Sequence, residues 1–149
     1  MKKLEYNVTI AADKKTVWDT MLQPDTYQEW AQVSWPGSIY EGTFGKGENV
    51  RFISPGQGGT LATITDFKPY DTVLAEHVAI LNADGSEDRT SDVAKGWIGI
   101  SERYTFSEQD GKTTVSVVIN TRPEWEKMFE DGWPAALQKL KEMCEHINV

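Results

Sequence analysis

A chain of 149 residues, 39% hydrophobic and 26% charged, is long enough to bury one substantial core and has the composition of a single globular domain, residues 1–149. A net charge of −8 repels phosphate backbones and anionic bilayers, which argues against nucleic acid and membrane surfaces as partners. Cys144 is the only cysteine, so no intrachain disulfide can form and a reducing cytoplasm is the expected compartment; no apolar run approaches the roughly 20 residues of a membrane span.

The opening "MKKLEYNVTI" carries two lysines, but Glu5 and Asn7 interrupt any apolar segment, so no signal peptide is expected. From Leu4 the residues Leu4, Tyr6, Val8 and Ile10 alternate with polar neighbours, which predicts a half-buried strand. Asp13 then offers an N-cap to "KKTVWDTML", whose Val17, Trp18, Met21 and Leu22 form an apolar stripe. Pro24 ends that helix, and "TYQEWA" starts a second short one that brings Tyr27 and Trp30 together. After Gly37 the pattern becomes strands and turns: "SIYEGTF", "NVRFIS", "GTLATITDF", "TVLAEHVAIL", "GWIGISERYTF" and "TTVSVVINT". "PGQGG" and "KPYD" punctuate them, "NADGSEDRTSDVAK" reads as a long polar loop, and Asp110-Gly111 is a two-residue hairpin turn.

From Pro123 the period turns helical. Trp133, Leu137, Leu140, Cys144 and Ile147 make one continuous stripe, and Gly132 with Pro134 predicts a kink or break between pieces at about 123–131 and 133–147. The class is therefore α+β: an antiparallel sheet of about six to seven strands, two short helices after the first strand, and a long terminal helix to cover the apolar face.

Turn positions set which side chains share that face. The Asp110-Gly111 turn places Phe106 opposite Val115, Tyr104 opposite Val117 and Glu102 opposite Ile119. A loop centred near Arg89 sets Ile80 against Ile98, Val78 against Ile100, Glu76 against Glu102 and Leu74 against Tyr104. The "KPYD" turn sets Ile64 against Glu76 and Ala62 against Val78, and "PGQGG" sets Phe52 against Ala62 and Val50 against Ile64. The inner face so defined carries Glu76 and Glu102, while His77 points to solvent. Two carboxylates on an apolar face must share a proton, meet a donor or cation, or sit in water. They serve either a satisfied wet gap or a ligand, or a slipped register across the long loop exposes one of them.

The stretches "VWDTMLQPDTYQEW", "GTLATITDFKPYDTVLAEHV", "YTFSEQDGKTTVSVV" and "DGWPAALQKLKEMCE", in that order, resemble the START-like (SRPBCC) superfamily, and within it the heat-shock-protein-90 ATPase activator-like group. The resemblance spans nearly the whole chain. It implies the helix-grip fold of the birch pollen allergen, in which a curved antiparallel sheet wraps the long C-terminal helix and often leaves an apolar cavity for a lipid, sterol or polyketide. The chaperone activator that names the group has a second, N-terminal domain for chaperone contact, for which these 149 residues leave no room. The resemblance carries over no catalytic residue.

The function expected first is binding of a small apolar or amphipathic molecule between sheet and terminal helix, lined by Trp30, Phe52, Glu76, Val78, Ile100, Glu102, Tyr104 and Trp133, with Trp35 near an entrance. The alternatives are an enzyme of cyclase, dehydratase or hydrolase type using Glu76 and Glu102 as acid and base, or a protein-interaction module. No activated nucleophile or phosphate-cradling loop is visible. His77 and His146 lie on different elements without ligand spacing, so neither metal nor cofactor is expected.

Overall fold

The computed structural model describes residues 1–147, with side chains through His146. The chain runs β1 (Lys2–Ile10), α1 (Lys14–Leu22), α2 (Pro24–Ala31), β2 (Ile39–Gly42), β3 (Asn49–Ser54), β4 (Gly58–Lys68), β5 (Thr72–Leu81), β6 (Glu87–Asp88), α3 (Asp92–Trp97), β7 (Ser101–Gln109), β8 (Lys112–Thr121) and α4 (Glu126–Ile147). All strands pair antiparallel in the order β1-β8-β7-β5-β4-β3-β2, and the two-residue β6 pairs with β5.

Local chemistry explains the boundaries. Asp13 caps α1 by accepting from the Thr16 backbone N–H at 2.7 Å, and Pro24 opens α2 at its first turn, where no intrahelical N–H bond is lost. Asp110 and Gly111 have φ of 54° and 78°, as the two-residue turn requires, and the β7–β8 register places Phe106, Tyr104 and Glu102 opposite Val115, Val117 and Ile119 as expected.

Two expectations about elements are corrected. "GWIGISERYTF" is not one strand: Gly96 and Trp97 end α3, which Ser91 caps through the Ala94 N–H, and β7 begins only at Ser101. The terminal helix is also not divided at Gly132. It is continuous from Glu126 with Pro134 inside, and the interruption falls earlier, in a 3₁₀ turn at Pro123–Trp125.

Trp133, Leu137, Leu140 and Cys144 on α4 are buried with Phe129 and Ala136, against β1, α1 and α2 and the inner face of the sheet. Ile147, the last residue of the predicted stripe, lies outside the residues whose side chains are described. Burial pushes the Cys144 thiol up to about 11, against the opposing effect of a hydrogen bond with Thr20. A thiol-disulfide exchange reagent is therefore expected to leave Cys144 unmodified in the native protein and to titrate it fully in denaturant. Rapid labelling without denaturant would contradict this packing.

The sheet's phase departs from the predicted one in β5. Next to the "KPYD" turn the pairing is regular, with Lys68 opposite Thr72 and Phe67 opposite Val73. Irregularities then leave Thr65 unpaired on β4 and Val78 unpaired on β5. Each extra residue reverses facing relative to a count from the turn. Along β5 Val73, Ala75 and His77 are buried and Glu76 is exposed, the reverse of the expectation for this strand. Leu74 is correspondingly half-buried and pairs with Arg103. Val78, past the reversal, joins a small second cluster with Leu61, Ala79 and Leu81.

Candidate functional site

The same reversal resets the polar centre of the inner face. Across β5–β7, Glu102 stands opposite Ala75, not Glu76, and Glu76 stands opposite Ser101. The glutamate pair does not form, and the acid–base couple built on it has no geometry. Glu102 itself points inward as expected, at 8% exposure, and its partner is His77, at 3%. His77 Nε2 lies 2.9 Å from Glu102 Oε2. A hydrogen on Nε2 donates to the carboxylate; Nδ1 is buried without a partner, so a second ring N–H would go unmet there.

The pair sits at a cleft of about 210 Å³ between the sheet and α4. Helix α2 supplies Tyr27 and Trp30, strand β3 supplies Phe52, and α4 supplies Phe129 and Trp133. Five of the eight predicted lining residues border it: Trp30, Phe52, Glu102, Tyr104 and Trp133; Trp35 lines it too. Glu76 is out in solvent, Val78 belongs to the second cluster, and Ile100 is fully buried in the core without reaching the cleft.

His77, Trp97 and Phe129 complete the wall and were not anticipated from sequence. Trp97 stands 4.9 Å from the His77 ring and stacks on Phe129 at 5.9 Å and 18°. Its position is held from below: Arg122 donates to the Gly96 and Ile98 carbonyls, and Trp125 Nε1 donates to Gly96. The local signal for α3 was present in "SDVAKGW", a serine followed by an acidic residue at a helix start.

The polar tips of the wall divide into two groups. Tyr27 shares a hydrogen bond with Ser38 at 3.2 Å, and Trp30 Nε1 donates to the Met21 carbonyl at 3.1 Å. By contrast Trp97 Nε1, Trp133 Nε1 and His77 Nδ1 are buried and have no partner. Burial pushes the Tyr104 phenol well above the usual range, and the nearby Glu102 charge pushes it further. Three unpaired polar atoms around one cleft are an unusual concentration, since buried polar groups are nearly always met.

Trp35 reaches α4 where Gly132 leaves room for it. A Cβ at 132 would lie 2.7 Å from Trp35 Cζ2, and Ser34 Oγ donates to the Gly132 carbonyl at 2.6 Å. Alanine for glycine inside a helix ordinarily gains up to about 1 kcal/mol. Gly132→Ala is expected to bring no such gain and to shift the Trp35 indole resonance. A stability increase of about 1 kcal/mol in chemical denaturation with Trp35 unmoved would refute the contact.

An antiparallel sheet covered on its inner face by a long C-terminal helix, with a cleft between the two, defines the helix-grip fold of the START-like class. Within that class the chain belongs to the family described as Activator of Hsp90 ATPase homolog 1-like protein, whose sequence model matches residues 11–145. Solved structures with the same fold include the Aha1 dimer from Colwellia psychrerythraea, 17% identical over 97% of both chains with a TM-score of 0.71. They also include protein MLL2253 from Mesorhizobium loti, 12% identical over 99% of this chain and 100% of the other, with a TM-score of 0.77. Protein Ms6760 from Mycobacterium smegmatis is 15% identical over 99% of this chain and 90% of the other, with a TM-score of 0.69. At these identities the likeness is one of fold. No curated protein matches the chain in sequence. Among the described residues no helix is long and apolar enough to cross a membrane.

Proposed function

We propose that the protein binds a small, largely apolar molecule in the cleft between sheet and α4, with the His77–Glu102 end of the cleft meeting the ligand's polar group. The observation that carries this reading is an aromatic-walled cleft of about 210 Å³ whose one acidic group, Glu102, is bonded to His77 through Oε2 alone. A packed core would close such a space, whereas a binding site keeps an apolar wall with a few polar groups that orient the ligand. The volume suits a molecule the size of a substituted bicyclic aromatic.

Ligand-observed NMR against a panel of neutral, cationic and anionic aromatic compounds tests this. Saturable 1:1 binding of at least one class, weakened by enlarging the wall residue Thr60 to tryptophan, is the expected result. No binding from any class would remove the proposal, and so would binding that Thr60→Trp leaves unchanged in a variant with native chemical shifts elsewhere.

A further inference from the structure

We infer that the cleft selects molecules carrying a cationic nitrogen, such as a small aromatic amine, over neutral and anionic molecules of the same shape; this rests on the cleft being a small-molecule site.

Charge in the cleft has one sign. Among the described residues Glu102 is the only acidic one lining it, and no lysine or arginine does. Oxygen Oε2 of Glu102 takes the His77 hydrogen bond, while Oε1 has no protein hydrogen-bond partner among the described residues. A carboxylate that is nine-tenths buried with one oxygen unmet and a space in front of it is a site for a donor, and a charged donor is the strongest. His77 bonds Oε2 only, which leaves Oε1 as the oxygen that a ligand's donor would meet.

The walls favour the same ligand. Trp30, Trp35, Trp133, Tyr27, Phe52 and Tyr104 all border the cleft, and aromatic faces carry the negative lobe of their quadrupole, which attracts cations and repels anions. An ammonium placed against Glu102 Oε1 would lie among these rings with its apolar remainder along α4. A carboxylate ligand would instead bring a second negative charge beside Glu102 in a poorly solvated space. The protein's net charge of −8 adds a long-range attraction for cations.

Three indoles of nearly equal size separate the possibilities: tryptamine, the neutral alcohol tryptophol and the anion indole-3-propionate, titrated calorimetrically at neutral pH into the full-length protein. Tryptamine is expected to bind about tenfold or more tighter than tryptophol, from one charged hydrogen bond, and indole-3-propionate weakest of the three. Glu102→Gln keeps an acceptor for His77 Nε2–H and so preserves the fold. It is expected to bring tryptamine to within about threefold of tryptophol while leaving tryptophol unchanged. Equal binding of all three, a preference for the acid, or an amine preference that survives Glu102→Gln in a natively folded variant overturns the inference and leaves the small-molecule site standing. Absence of binding by all three, together with absence of binding across the wider panel, overturns both.

Discussion

Replacing His77 by leucine is expected to destabilise the protein by about 3 kcal/mol, because it strands Glu102 at 8% exposure without the donor 2.9 Å away. Removing one member of a buried pair leaves the other desolvated and unmet; removing both removes the cost as well. The double variant His77→Leu/Glu102→Leu is therefore expected to recover most of the loss, and equilibrium denaturation of the two singles and the double measures the coupling. A double variant no more stable than His77→Leu would mean that the pair is not a coupled unit. The matching control is Glu76→Leu. Glu76 is exposed on the opposite face, so its replacement is expected to change stability by less than about 0.5 kcal/mol.

Trp133→Ala is expected to cost about 3–5 kcal/mol, the range for emptying a large buried aromatic site. Trp133 is 2% exposed and is the hub of the aromatic wall, with Trp30, Trp35 and Tyr104 at 5.9, 5.4 and 5.6 Å. Trp133→Phe discriminates between packing and polar function. It keeps a ring in place and deletes an indole N–H that has no partner, so the lost area is partly offset by relief of a buried unmet donor, and the cost should stay below about 1.5 kcal/mol. If Trp133→Phe were as damaging as Trp133→Ala, the indole N–H would have to be bonded in the native protein.

Much of the architecture was legible because it is written in short-range pattern. The Asp110-Gly111 turn yields the β7–β8 register residue for residue, and the four-and-three spacing of Trp133, Leu137, Leu140 and Cys144 identifies the covering helix. β5 was legible in extent but not in facing. Its alternation is symmetric: each face offers apolar residues and one titratable group, so nothing in Val73–Leu81 itself says which side is in. The decision lies in two single-residue irregularities, at Thr65 and Val78, which carry no glycine and no proline to mark them.

The loop between β5 and β7 failed for a related reason. Taking its midpoint assumes a featureless hairpin, but β6 and α3 lie within it, and a one-residue error there converts an expected Glu76–Glu102 contact into Ala75–Glu102. Pro134 was misread in a different way. Proline forbids one hydrogen bond and crowds one carbonyl, but burial of α4 along its whole inner stripe outweighs that local cost, and the helix continues through it. Trp30, Phe52, Glu102, Tyr104 and Trp133 still border one cleft with β5 reversed, because none of them lies on β5.

The six tryptophans allow the central claim, that a small molecule enters beneath α4 beside His77 and Glu102, to be tested directly. In ¹⁵N-edited spectra of the labelled protein each indole gives its own N–H resonance. On titration with whichever of the three indoles binds most tightly, the Trp35, Trp97 and Trp133 resonances, all from the cleft wall, should move together along one saturation curve. Trp18, packed on Phe67 and Phe106 away from that wall, should stay in place. Movement of Trp18 with the wall indoles unchanged, or no movement at saturating ligand, would contradict the account.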